Sequence, residues 1–477
     1  MSMISFVFIA LVIAVFCILY ICNKLIKSDK AYKHARNWIL ITSSFAFMSY
    51  ADVRFSAVLF LISLSAWFFA KKKKLWFVGV IISVASLCYF KYTNFFISSF
   101  GKIVGENFEA LKIILPLGIS FYTFSAVGYL IDVKRGDVDS RSFEEVLSYI
   151  SFFPKITSGP IQESSDYFRQ INERNSLGLQ TFVPGIEIFL FGLFKKIVLA
   201  DRLSVFVNQV YEMPNTFGSF TVLLGVISYS FQIYFDFSGY SDMAVGVGKM
   251  LGFDLPKNFN LPYLAHNVTE LWKRWHITLS TWLMKYVYFS LGGNRKGKIR
   301  TYVNLILTMV IGGIWHGANW TYVIWGLLHG LALAAHKAWM ELTGSAKKTH
   351  SVISNIFSIV LTFLFTTFCW IFFRAESLSQ AFAVITRIFS FKKGVFQPYY
   401  WLIISVVVYC AAVIFAVVKS KKENKPTPKK LNVSFVDGYY PALDLSRFWH
   451  IVLFFVFAGL IICLAYTGGS PFIYGNY

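Results

Sequence analysis

Long apolar runs separated by short polar connectors dominate the chain, and many of the connectors are basic. Stretches with few or no charges lie near 4–22, 38–50, 53–70, 75–98 and 112–131. A helix needs roughly 20 mostly apolar residues to cross a hydrocarbon layer of about 30 Å, so these runs predict membrane-crossing helices. The run at 38–50 is short for a span and predicts either a helix with little tilt or a tight hairpin with the next. Further runs at 182–200 and 220–250 predict crossings, the first interrupted by Lys195 and Lys196. Those at 301–317, 320–340, 352–373, 398–418 and 449–466 complete the set. Two stretches break the pattern. SFFPKITSGPIQ at 151–162 places two prolines, a glycine and a lysine in apolar surroundings and predicts a broken or re-entrant element. The segment 271–291, rich in tryptophan and cations, predicts an amphipathic helix at the membrane interface.

Composition supports an all-α, polytopic integral membrane protein: 56% of the 477 residues are apolar and 14% are charged, against about 25% charged in soluble chains. The 45 Lys and Arg outnumber the 24 Asp and Glu, for a net charge of +21. These cations sit in connectors rather than along one face of a soluble domain, which argues against nucleic acid and for positive-inside topology. Placing Lys24–Arg36, Lys71–Lys74, Lys134–Arg141, Arg295–Arg300, Lys347/Lys348 and Lys419–Lys430 in the cytoplasm gives about twelve crossings with both termini outside. The first run lacks a preceding basic region and is followed by lysines, the order expected of a retained anchor. The expected location is the inner, cytoplasmic membrane. The chain reads as one membrane domain, with N-terminal helices over 1–110, a core over 111–374 and C-terminal helices over 375–477. Cys17, Cys22, Cys88, Cys369, Cys410 and Cys463 lie within or at the ends of apolar runs without metal-ligand spacing, so neither a metal site nor a disulfide framework is expected.

Ionisable groups in hydrocarbon are costly, which makes intramembrane His, Asp and Lys candidates for chemistry. His316 lies in GGIWHGANW and His276 in LWKRWHITLSTW. The residues alone leave two readings of each. His316 is either a packing histidine in a glycine-rich hairpin or a general base for a hydroxyl. His276, after Lys273 and Arg274, is either part of a basic interfacial helix or part of the mouth of an anion-binding tunnel. Gln232, Asp236 and Tyr240 recur every four residues in YSFQIYFDFSGYSDMAVGVG and share a helix face. A carboxylate there either serves a substrate or histidine, or pairs with a buried Lys or Arg. His34, His266, His329, His336, His350 and His450 read as packing or loop histidines.

Taken together, WKRWHITLSTWL, LGGNRKG and IGGIWHGANWTYVIWGLLHG resemble the core of the membrane-bound O-acyltransferase family. FYTFSAVGYLIDVKRG, SFFPKITSGPIQ, GLFKKIVLADRL, YSFQIYFDFSGYSDMAVG and the terminal PFIY resemble its alginate O-acetyltransferase branch, the match running from about 112 to 340 and more loosely beyond. The resemblance implies that His316 is the catalytic histidine and His276 its partner in a second motif. It implies a tunnel through the membrane, acetyl-CoA as cytoplasmic donor with no bound cofactor, and an acceptor reaching the site from outside, either a polysaccharide or an extracytoplasmic acetyltransferase partner. Lys273, Arg274, Asp236, Gln232 and Asn319 are then the candidates for holding substrate. The ending GNY departs from the branch's usual aromatic close, which bears on partner or acceptor and not on the motifs. A teichoic acid D-alanyltransferase fed by a carrier protein, and a non-enzymatic polysaccharide exporter, are the competing readings.

Overall fold

The computed structural model describes residues 3–72, 74–174, 177–344, 351–422, 448–468 and Ile473. Lys347/Lys348, most of the Lys419–Lys430 connector, and the terminal PFIYGNY apart from Ile473 lie outside the described residues. The described chain is helical, with one isolated bridge between Phe217 and Val395. It forms two compact units, one of Met1–Phe191, Tyr240–Pro256 and Tyr474–Tyr477, the other of Gly192–Gly239 and Lys257–Ile473.

The first unit opens with α1 (Phe6–Leu25), α2 (Asp29–Ala51), α3 (Val53–Ala70), α4 (Trp76–Val104) and α5 (Ile119–Arg135). The short helices α6 (Phe143–Ser151) and α7 (Ser164–Asn172) follow, and then α8 (Leu179–Leu193). Here α2 begins nine residues before its apolar run, within what reads as a basic loop. Ser28 caps it, and its cations find partners far along the chain. Lys33 Nζ donates to Glu145 at 2.7 Å, Asn37 Nδ2 to Glu144 at 2.8 Å, and Arg36 to the carbonyls of Ile171 and Glu173. These tertiary partners outweigh the polar character of the first turns.

Residues 152–162 form irregular backbone, and every residue of 151–162 is buried. The irregular segment is held from several sides: Phe153 N–H donates to Ser44 Oγ at 3.1 Å, Thr157 Oγ1 pairs with the Tyr240 hydroxyl at 2.7 Å, and Tyr149 donates to Gln162 O at 2.8 Å. Such backbone survives at membrane depth only when it is enclosed by protein in this way. Gly118, at φ 73°, lets α5 start directly against it, since a Cβ there would lie 2.3 Å from the Ile156 carbonyl oxygen.

In the second unit a π-helical turn at Phe194–Ala200 leads into α9 (Asp201–Glu212), and α10 (Ser219–Met250) contributes its first two-thirds. Then come α11 (Val268–Trp272), α12 (Ile277–Trp282), a second π-helical turn at Leu283–Tyr288, α13 (Lys298–His316), α14 (Trp320–Thr343), α15 (Val352–Arg374), α16 (Leu378–Phe389), α17 (Tyr400–Lys422) and α18 (Phe448–Leu464). The amphipathic helix expected over 271–291 is instead α11, a reversal at Arg274–His276, α12 and the π-helical turn. Arg274, Trp275 and His276 at the break are buried, while Lys273, Met284 and Phe289 to either side are exposed.

Each of the twelve expected crossings coincides with a helix. Five helices, Phe6–Leu25, Val53–Ala70, Trp76–Val104, Ser219–Met250 and Val352–Arg374, are long and apolar enough to cross a membrane by length and composition. Large apolar side chains such as Ile81, Leu361, Phe455 and Ile462 face outward, while Ser44, Ser63, Asn304 and Thr366 are fully enclosed. This distribution suits a lipid solvent, and the protein is a multi-pass membrane protein.

Candidate active site

The site is built on the hairpin of α13 and α14. Gly313 and Gly326 allow the two backbones to touch: a Cβ on Gly313 would lie 2.3 Å from Tyr322 O, and one on Gly326 2.4 Å from Met309 O. Asn319 turns the corner, its Oδ1 accepting the Thr321 N–H at 3.1 Å and its Nδ2 donating to Glu376 O at 2.8 Å. His316 ends α13 and is buried. Its imidazole meets Trp325 edge to face at 5.1 Å between centroids and Phe373 at 5.2 Å.

His276 enters from the reversal between α11 and α12. It is fully enclosed and has φ 42°, a left-handed conformation seldom adopted by a residue with a Cβ. Pairing with the loop 258–260 holds it there. Ile277 N–H donates to Asn258 O and Asn260 N–H to Arg274 O, both at 2.9 Å. Asn258 Oδ1 accepts from Thr278 Oγ1 at 2.6 Å and Thr278 N–H at 3.3 Å, and it lies 3.3 Å from His276 Nδ1. An oxygen that already accepts a backbone N–H requires a donor from the imidazole too, so His276 carries its proton on Nδ1 and its lone pair on Nε2. The imidazoles of His276 and His316 lie 6.5 Å apart between centroids, and both touch Trp315. Phe237 of α10 packs edge-on against His276 at 4.6 Å.

The other candidates separate. Lys273 is exposed while Arg274 is buried. Arg274 donates from Nη2 to Glu270 at 2.7 Å and from Nη1 to Asn260 O at 3.2 Å. Burial pushes the Glu270 carboxyl up, and hydrogen bonds from His266 and Arg274 outweigh it, holding the group below the usual carboxylate range. Gln232 is buried in α10, and its Oε1 has no hydrogen-bond partner among the described residues. Asp236 pairs with Lys196 at 2.6 Å, and Lys196 also pairs with Asp201 at 2.7 Å. The Ile473 N–H donates to Asp236 at 2.9 Å. Geometry thus brings His276 and His316 together, gives Asn319 a capping role, and places Asp236 in a buried ion cluster. Sequence reading missed Asn258, which lies in an irregular stretch without periodicity. The pairing of Asp236 with a buried cation was one of the two readings of that carboxylate, and the cation is Lys196, a lysine that interrupts an apolar run.

Two buried imidazoles from separate motifs thus lie side by side, enclosed by aromatic rings in a helical membrane scaffold. The chain belongs to the MBOAT, membrane-bound O-acyltransferase family, whose model matches residues 8–378. It is 36% identical over 464 residues to the "probable alginate O-acetylase" of Pseudomonas putida, covering 92% of this chain and 94% of that one. Against the "peptidoglycan O-acetyltransferase" of Helicobacter pylori it is 38% identical, over 73% of this chain and 72% of the other. A "teichoic acid D-alanyltransferase" of Streptococcus thermophilus is 34% identical over 47% of this chain and 57% of its own length. The protein is an O-acyltransferase of the branch that includes the alginate O-acetylases, and the exporter reading is set aside.

Proposed function

We propose that the protein transfers an acetyl group from acetyl-CoA, presented at the cytoplasmic face of the cell membrane, to hydroxyls of an extracytoplasmic polysaccharide, directly or through an extracytoplasmic acetyltransferase partner. The observation that carries this reading is the pair of buried imidazoles 6.5 Å apart at the end of the α13–α14 hairpin. His316 takes the proton of the attacking hydroxyl as its oxygen bonds to the thioester carbonyl carbon. The carbon–sulfur bond then breaks, and the departing thiolate takes that proton, leaving an ester and a free thiol. His276, held by Asn258, offers Nε2 to orient the hydroxyl or its proton. Lys273 is the exposed cation assigned to the donor's phosphates, while Arg274 braces the loop that carries His276. Acetyl is favoured over D-alanyl because the relatives named for acetyl transfer match over much more of the chain.

The test is acetyl-ester formation by purified protein supplied with acetyl-CoA and a polysaccharide, with mass spectrometry of cell-surface polymers in a deletion strain alongside. A positioned general base contributes about 10²- to 10⁴-fold, roughly 3 to 5 kcal/mol of barrier. His316→Ala should lose at least that factor with unchanged expression and detergent-solubilised size, and His276→Ala should retain more turnover. His316→Ala protein that acetylates at the parent rate would overturn the mechanism.

A further inference from the structure

His329, which reads from sequence as a packing histidine, lies one helical turn beyond Trp325 in α14 and is 1% exposed. Neither Nδ1 nor Nε2 has a hydrogen-bond partner among the described residues. The same holds for the indole Nε1 of Trp272 and of Trp325. These three side chains touch one another: ring centroids are 5.0 Å apart for Trp325 and His329, 5.2 Å for Trp272 and His329, and 5.7 Å for Trp272 and Trp325. Trp325 is also the ring against which His316 packs. Four buried polar atoms are therefore gathered one indole away from His316.

A purely structural role does not account for them. Leaving a buried polar group unpaired is unfavourable, and a phenylalanine at 329 would fill the aromatic surroundings without that cost. A metal needs three or four ligands, and among the described residues no group of three His, Cys, Asp or Glu side chains is placed to hold one. The rings in contact with His329 are Trp272, Trp325, Phe365 and Trp370, all uncharged, which disfavours an anion. A neutral imidazole offers one donor and one acceptor, and each indole one donor. We infer that His329, Trp272 and Trp325 form a binding subsite for an uncharged substrate group that both accepts and donates hydrogen bonds, either an amide of the thioester donor's arm or a hydroxyl of the acceptor. The inference rests on the acyltransfer reading above.

The experiment uses full-length His316→Ala protein in detergent, so that no turnover intervenes, with and without His329→Phe. Equilibrium binding is measured for radiolabelled acetyl-CoA and, separately, for an alginate oligosaccharide. His329→Phe should weaken one of the two by about 10-fold or more, the equivalent of roughly 1.4 kcal/mol, and the ligand affected identifies the source. His329→Gln keeps a donor and an acceptor and should stay within about 3-fold of the parent. Trp272→Phe keeps the ring, loses one N–H, and serves as the second variant should the first fail to fold. Unchanged binding of both ligands in these variants would overturn the subsite. If His316→Ala is inactive while binding is indifferent to residue 329, the subsite fails alone. If His316→Ala turns over at the parent rate, or binds neither ligand, the acyltransfer reading fails with it.

Discussion

A single asparagine decides how His276 is presented. The left-handed backbone at φ 42° costs roughly 1 to 3 kcal/mol, and the bonds between Asn258 and residues 276–278 over-determine it. Asn258→Ala removes both the bond to the imidazole and the bonds to Thr278, so it should lower kcat by about 10- to 100-fold, as loss of an orienting partner does, and also lower the thermal midpoint. Thr278→Val removes only the Oγ1 bond, worth about 1 kcal/mol, and should lower the midpoint while activity persists. Equal activity losses in the two would show that Asn258 acts through stability alone. At this scale the sequence announced the two histidines, because an imidazole in an apolar run has to be explained. It was silent about Asn258, whose role depends on a loop conformation that leaves no periodic trace. His329 reads from sequence as a packing histidine, and the aromatic rings around it are the surroundings that such a reading expects.

Helices were legible where apolar runs carry them and obscure where tertiary partners do. The beginning of α2 is polar and basic, and the Ser28 cap together with partners such as Glu144, Glu145 and the carbonyls near Ile171 holds it helical. Over 271–291 the spacing of Trp, Leu and Tyr continues across His276 as though one helix ran through, and the break is set by pairing with Asn258 and Asn260. The α13–α14 hairpin was foreshadowed by its glycines, and it supplies a test. Gly326→Ala would gain about 0.5 to 1 kcal/mol of helix propensity but force a Cβ to within 2.4 Å of a backbone oxygen, and overpacking of this kind costs about 1 to 3 kcal/mol. The clash wins, the hairpin is pushed apart at the level of Met309, and His316 shifts at its end. Activity should fall by about 10-fold or more with a lower thermal midpoint. Gly459→Ala in α18, where nothing lies within 4 Å of the added carbon, should leave both unchanged or slightly raised. An indifferent Gly326→Ala would mean that close backbone contact does not position His316.

For the whole molecule the informative quantity is where the cations stand. Each Lys or Arg near an anionic leaflet is worth about 1 kcal/mol, so the cluster Lys71–Lys74 and the run Arg295–Arg300 favour one side by several times thermal energy. Lys71 sits over the Trp67 ring at 4.4 Å and Lys72 over Phe68 at 5.8 Å, an arrangement that carries charge out of a helix end toward headgroups. The connector between α4 and α5 contains Glu106 and Glu109 with Lys112, after Lys102 in the last turn of α4, and has no such bias, as expected for the opposite side. In a cysteine-free background, a single cysteine replacing exposed Glu106 should react with a membrane-impermeant maleimide in intact cells. One replacing exposed Lys72 or Lys296 should react only after permeabilisation. Because α4 separates Lys72 from Glu106, labelling of both in intact cells would remove α4 as a crossing. Labelling of Lys72 and Lys296 on opposite sides would mean an odd number of crossings between them where four are expected. His276 would then no longer follow from a donor-facing connector, and the route by which acetyl-CoA reaches the two histidines would have to run from the other face.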